Sequence, residues 1–335
     1  MKIKSGKKMF SGKRKDIIYY CIMMAWPVLQ FVIFYIGVNF NSFVMSFQKI
    51  SYIDISKVNH GVGGETTFTW TLENYFGEYG AFAWIFGGKI RDGVLFRDLI
   101  GISLRSFLIT ICTSVPLGLL FSYYIFKKLP GWSAFRAILF LPSILSAVVM
   151  AAIYRFFVSE GLNQIIADVF LGGDTSTLTN LFDPAGKTRY GTIMAFNIWI
   201  GFGTSVIMYA NKMSGISQEI FESAHLDGAT GIKEFIHIVF PLVYSTLSVF
   251  LITMVAGICS NQINLYAMFG GTFTGADAKP LGYYLYTEVK NSFRGGGGLP
   301  QLPYYSALGI ALTLIAVPFT LIVKWALEKF GPSED

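Results

Sequence analysis

Six stretches of the chain are apolar for long enough to cross a bilayer, which takes about 20 mostly apolar residues. They run Ile17–Phe47, Leu99–Phe126, Ala134–Val158, Gly191–Ala210, Leu242–Phe269 and Tyr304–Leu327. In hydrocarbon each backbone polar group must find its partner within the protein, so runs of this kind predict helices. The pattern predicts an all-α polytopic membrane protein with about six transmembrane helices. A basic start ahead of the first run brings a secretory signal to mind. That run far exceeds the roughly 7–15 residues of a signal core, and no small-residue cleavage site follows. It reads as a retained span.

The links between the runs alternate in charge. Lys127, Lys128 and Arg136 follow the second run with no acid among them. Glu160, Asp168, Asp174 and Asp183 dominate the link after the third, against Lys187 and Arg189. Seven of the 26 basic residues fall in the first fifteen positions. Lys and Arg in short loops favour the cytoplasm. The N-terminus and the first short link are therefore expected inside, and an even number of spans returns Lys324 and Lys329 to the same side. The stretch 48–96 then faces outward, as a small subdomain or an interfacial element rich in Gly, Thr and aromatics such as Phe68, Trp70, Tyr75 and Trp84. Gly295–Gly298 suggests a flexible turn in another outward loop.

One segment, 211–241, is too polar to span and too patterned for a loop. Ser217 suits a helix N-cap, and Glu219 and Glu222 follow where acids complement the helix dipole. Gly228 suits a left-handed helix end. Thr230 can cap a second helix with apolar positions Ile232, Phe235, Ile236, Val239 and Phe240, the spacing of one helix face. Pro241 fits the first turn of the span that follows. Periodicity alone leaves two readings open: a hairpin lying on lipid, or a docking element for a partner.

Composition narrows the classes. Of 335 residues, 53% are hydrophobic and 14% charged, against about 25% charged in an average soluble domain. The net charge of +6 sits largely at the N-terminus beside a span, which suits membrane orientation and no nucleic acid. Cys21, Cys112 and Cys259 lie in apolar runs and offer neither disulfide nor zinc spacing. His60, His225 and His237 are scattered, and no catalytic or metal set appears. Gly186-Lys187-Thr188 mimics the end of a phosphate loop, but Leu181 stands where that loop needs Gly.

The run Glu222-Ser223-Ala224-His225-Leu226-Asp227-Gly228-Ala229, with Phe235, Ile238 and Pro241, resembles the EAA loop of binding-protein-dependent ABC importer permeases. The family pattern has Ala where Ser223 stands and Leu where Phe240 stands. Trp26-Pro27, Leu72-Glu73-Asn74-Tyr75, the run Phe135–Pro142 and Gly161-Leu162-Asn163 are similar to the carbohydrate-uptake branch, the maltose and glycerol-phosphate permease type. The resemblance covers nearly the whole chain. It implies a basic cytoplasmic N-terminus (1–16), a first transmembrane helix (17–47), an extracytoplasmic loop (48–96) and a core permease domain (97–330) with five transmembrane helices, including the cytoplasmic coupling hairpin 211–241. It implies ATPase-coupling roles for Glu222, Ser223, Ala224, Asp227, Gly228, Ala229 and Pro241. It further implies a multi-pass bacterial cell-membrane protein that is a transport subunit, not an enzyme. The implied partners are a second permease in a heterodimer, cytoplasmic ATP-binding subunits and an extracytoplasmic solute-binding protein. No cofactor is expected on this chain, ATP and Mg being held by the partner ATPase.

For the solute path, Ser, Thr and Gly stripes in the spans suit helix packing better than binding. Amides differ, because one side chain both donates and accepts. Asn197 lies about seven residues, and Asn261 about eight, from the same membrane face, which at roughly 1.5 Å per residue puts them at similar depth. With Trp199, Gln262, Asn264 and Tyr266 they form a candidate path for a neutral polyol such as a sugar or oligosaccharide. Hydrogen bonding between subunits is the equal alternative. A non-sugar solute remains the rival within the family. An ion-coupled secondary transporter would place acids near the midplane, and the spans hold no such cluster. Arg155, late in the third span, suits snorkelling.

Overall fold

Among the described residues, five helices are long and apolar enough to cross a membrane, and two more joined at a sharp bend bring the count of spans up to six. The structure is a computed structural model and describes residues 6–53, 65–91, 93–170, 180–183, 188–273, 275–294 and 301–332. The Gly295–Gly298 turn, Gly186 and Lys187, His60 and Asp174 lie outside the described residues.

One compact unit comprises residues 1–83 and 292–311. It opens with α1 (Lys15–Ser46), whose apolar side chains are exposed from Ile17 to Phe43, as suits a helix bathed in lipid. Strands β1 (Gln48–Ile53) and β2 (Glu65–Trp70) follow as an antiparallel hairpin in the register Gln48↔Trp70. This small sheet is an addition to the helical expectation, and Thr66, Thr67, Phe68, Thr69 and Trp70 carry its β-branched and aromatic signature. Short α2 (Glu73–Phe76) explains the Leu72-Glu73-Asn74-Tyr75 motif. The Asn74 amide donates to the carbonyls of Ser46 (2.9 Å) and Gln48 (2.8 Å), and the Tyr75 hydroxyl donates to Ser46 Oγ at 2.8 Å. These bonds lock the hairpin to the end of α1, where the terminal carbonyls of a helix would otherwise lack partners.

The second unit comprises residues 84–291 and 312–335. After α3 (Ala81–Phe86) come α4 (Phe96–Phe126), α5 (Trp132–Ile144), α6 (Ala147–Val169) and α7 (Arg189–Ser214). Then follow α8 (Gln218–Leu226), α9 (Ile232–Ala256), α10 (Leu265–Phe269), α11 (Leu281–Arg294) and α12 (Leu302–Phe330). The last helix begins in the first unit and ends in the second. Helices α4, α5 and α7 pack closely through small residues. The Ser122 hydroxyl lies 3.0 Å from the Val206 carbonyl, and a Cβ on Gly203 would sit 2.9 Å from Ser143 Oγ. Small side chains let backbones approach where lipid supplies no hydrophobic drive.

Two expected spans differ from the observed ones. The third, expected unbroken over Ala134–Val158, is α5 and α6 meeting at 106°. Leu145 and Ser146 are extended, and Ser146 Oγ caps α6 by accepting from the Val149 amide at 3.3 Å. Pro142 lacks the amide for its own helical bond, which weakens the last turn before the bend. The fifth span, expected over Leu242–Phe269, starts at Ile232 and ends at Ala256. Pro241 stands in the first turn of the α-helical stretch Phe240–Ala256, as expected, and that stretch is continuous with the turns from Ile232. A π-helical turn, Phe235–Val239, precedes it, with the Phe240 amide donating to the Phe235 carbonyl. The wider turn accommodates a proline ring that would strike the carbonyl four residues back. Beyond Gly257 the chain leaves the helix, and α10 is a separate short piece.

Candidate coupling hairpin and solute path

Helix α8 begins after Ser217, which has extended backbone but makes no side-chain cap bond. It ends in a Schellman motif. The Ala229 amide donates to the Ala224 carbonyl (2.9 Å) and the Gly228 amide to the His225 carbonyl (3.1 Å). That closure requires a left-handed residue at Gly228, whose φ is +76°. The cap of the second arm is Gly231 (φ +59°) rather than Thr230.

Phe221 and Ala224 are the buried side of α8. Phe221 joins a cluster with Leu119 of α4, Tyr209 and Met213 of α7, and Val239, Val243 and Leu247 of α9. Glu222, Ser223, Asp227 and Gly228 are exposed, and Ala229 and Pro241 half-buried. Glu222 accepts from the Gln218 amide at 2.8 Å along its own helix. On the second arm, Val239 is buried and Phe235 and Phe240 pack on the cluster, whereas Ile232 is 70% and Ile236 52% exposed. Three of the five expected apolar positions therefore face the cluster, and the two isoleucines do not. Glu234 turns inward instead, 1% exposed. Its carboxylate meets Lys127 Nζ at 2.5 Å, His225 Nε2 at 2.9 Å and the Tyr123 hydroxyl at 3.3 Å. No periodicity argument finds this residue, because its partners lie on other elements.

The candidate path residues divide by partner. The Asn197 amide donates to the carbonyls of Ile193 (2.8 Å) and Ile263 (2.7 Å), and its oxygen accepts from the Asn264 amide at 2.7 Å. It thereby fastens the break after α9 to α7. The break needs fastening: Ile263 (φ +45°) and Asn264 (φ +54°) are both left-handed, at a cost of about 1–3 kcal/mol each. Asn261 is exposed, and its oxygen accepts from the Ile263 amide at 2.8 Å. Gln262 is half-buried, without a side-chain hydrogen bond among the described residues. Trp199 lies against Tyr154 and Phe196. Tyr266 packs edge-on to Tyr286 at 4.7 Å and receives a hydrogen bond from Lys290. Arg155 does more than snorkel. Its guanidinium donates to the Met268 carbonyl at 2.9 Å, closing the end of α10. Arg189, largely buried, pairs with Asp277 and lies over the Phe273 ring.

No family model matches the chain. A probable ABC transporter permease of Pyrococcus horikoshii is 30% identical over 217 residues, 63% of this chain and 73% of that one. The chain belongs to the ABC transporter permease family. It is also 23% identical over 297 residues to the Bacillus subtilis arabinooligosaccharide transport permease AraP, covering 88% of this permease and 84% of the relative. In fold, the permease resembles a chain of a bacterial ABC transporter that imports the acidic polysaccharide alginate. The TM-score is 0.68 at 18% identity, with 96% of this chain and 99% of that chain covered. It is a multi-pass membrane permease and a transport subunit rather than an enzyme. Within the permease, α8 and its glycine turn lie between two spans, α7 and α9.

Proposed function

We propose that this permease forms part of the path for a sugar or oligosaccharide handed over by an extracytoplasmic binding protein. ATP is hydrolysed on separate cytoplasmic subunits that grip the hairpin. The hairpin carries the reading. Leu226 at its capped turn is 90% exposed, and Ile232 and Ile236 on the second arm are exposed too, while Phe221 and Val239 anchor it to α4, α7 and α9. Exposed apolar residues beside charged ones mark a protein-binding surface. An amphipathic helix seated in a partner's groove is a recurrent mode of docking. In this reading Glu222 and Asp227 meet the ATPase, buried Ala224 lets α8 lie close to the spans, and Gly228 sets the angle between the arms. Both termini and the hairpin face the cytoplasm, and β1–β2 faces outward.

The substrate class is supported by relatives that carry sugars: the arabinooligosaccharide permease AraP, and the Streptococcus mutans multiple sugar-binding transport permease MsmF at 24% identity over 66% of this chain. The alginate importer has also been solved with a periplasmic protein holding an alginate pentasaccharide. On this permease, the Asn261 NH2 group and the Gln262 amide remain to meet hydroxyls, with Trp199 and Tyr266 supplying flat apolar faces. Asn197 and Asn264 hold the loop that presents them. The second permease completes the path as a heterodimer partner.

The test is reconstitution in liposomes of the permease with its co-purifying chains. ATP hydrolysis should rise when a binding protein loaded with oligosaccharide is added, and labelled oligosaccharide should accumulate. Stimulation by a loaded amino-acid or ion binder, with none by any sugar, would refute the substrate class.

A further inference from the structure

Glu234 is a buried carboxylate in a protein whose neighbouring core is apolar. A buried ion pair is weak evidence for stability, since its desolvation cost often cancels the attraction. What such a pair does supply is geometry. Here three donors from two other elements converge on one carboxylate: Lys127 and Tyr123 from the end of α4, and His225 from the last turn of α8. An ionised carboxylate only accepts, so His225 presents Nε2–H to it. Lys127 also lies 4.9 Å from the centre of the Phe221 ring, so the same ammonium touches both arms of the hairpin.

The placement of this cluster matters more than its strength. His225 precedes the turn and Glu234 follows it. Between them stand Gly228 and Gly231, both left-handed, with nothing within 4 Å of where a Cβ would be. Two open glycines in a five-residue connection make a hinge. The Tyr123 hydroxyl sits 3.1 Å from the Gly231 carbonyl as well, pinning the hinge from the α4 side. The apolar contacts of Phe221 and Phe235 are non-directional and can slide, whereas hydrogen bonds to a carboxylate fix position. Without them, a push on α8 bends the glycine hinge and is spent there.

We propose that Glu234 is a positioning residue of the transport cycle: it braces the hairpin hinge so that displacement of α8 reaches α4 and α9 together. This rests on the reading that the hairpin docks on the ATPase. The brace is distinct from docking, because its centre, Glu234, is buried and Tyr123 and Lys127 are half-buried, while Leu226 and Glu222 are exposed.

The experiment uses the reconstituted complex with three readouts: ATPase subunits retained on purification, ATP hydrolysed, and oligosaccharide accumulated per ATP. The variant is the double change Lys127→Met with Glu234→Leu, which removes both charges and leaves neither unpaired. The brace predicts retained ATPase and continued hydrolysis, with solute per ATP reduced roughly tenfold, within the range typical of coupling between sites. Glu234→Gln keeps one accepting oxygen for Tyr123 and Lys127 and offers an amide N–H to His225 Nε2 in the other neutral tautomer, so it should lose less than the double variant. It carries the test alone if the double variant is absent from the membrane. Solute per ATP at the wild-type level in a variant that retains its ATPase overturns the brace and leaves docking intact. A wild-type permease that retains no ATPase overturns the docking reading, and the brace with it.

Discussion

Replacing Gly228 separates a backbone requirement from a contact requirement at the hairpin. The residue sits at φ +76° with open space where a Cβ would point, so an added Cβ meets no neighbour within 4 Å among the described residues. The cost of substitution is therefore conformational. An L-residue in the left-handed region costs roughly 1–2 kcal/mol, and Asn, which tolerates it, less. A β-branched residue there is a genuine outlier and costs more than Ala. The expected order of damage is Asn, then Ala, then Val. A cost of about 1–2 kcal/mol changes the population of the closed turn by a factor of roughly 5–30. The turn is held by the Ala229→Ala224 and Gly228→His225 backbone bonds. Losing it frays α8 and withdraws Glu222 and Asp227 from their places. The spans do not depend on it, so membrane levels should stay near wild type, measured by blotting of purified membranes. ATPase retention and ATP-driven uptake should fall in the stated order. Full uptake by Gly228→Val would refute the coupling role. Equal loss for Asn and Val would refute the conformational argument and show instead that the ATPase surface tolerates no side chain there.

Asn197→Ala should lower thermal stability in detergent by about 1 kcal/mol, two hydrogen bonds to the loop after α9 at ~0.6 kcal/mol each, whereas Gln262→Ala should leave stability unchanged and reduce uptake; unchanged stability in the Asn197 variant would return that residue to the solute path. Gly282→Ala should destabilise by roughly 1–3 kcal/mol, because its Cβ would strike the backbone of Ser260 and Asn261 at the break after α9; an unchanged melting temperature would show that this approach is loose. With Cys21, Cys112 and Cys259 replaced, a cysteine at Thr69 should react with an impermeant thiol reagent in intact cells and one at Lys15 should not; the reverse pattern would invert the proposed topology.

Features that depend only on neighbours along the chain can be read from the amino-acid order. Runs of about 20 apolar residues must become helices in lipid whatever surrounds them, so the spans and their number were legible from the start. Gly228 was legible as a left-handed helix end for the same reason: the requirement is local, set by Ala224 to Ala229. Features that depend on pairing between distant elements emerge only in the folded chain. Glu234 lies on a segment whose apolar spacing pointed Ile232 and Ile236 inward, yet both isoleucines are exposed, and Lys127 and His225 make burying a carboxylate tolerable. Asn197 and Asn264, 67 positions apart, looked like two free amides, and each is the other's partner. The bend at Leu145–Ser146 followed the same logic. Pro142 weakened the helix locally, but a broken span is tolerated only where packing and caps satisfy the freed backbone groups, and those partners come with the fold.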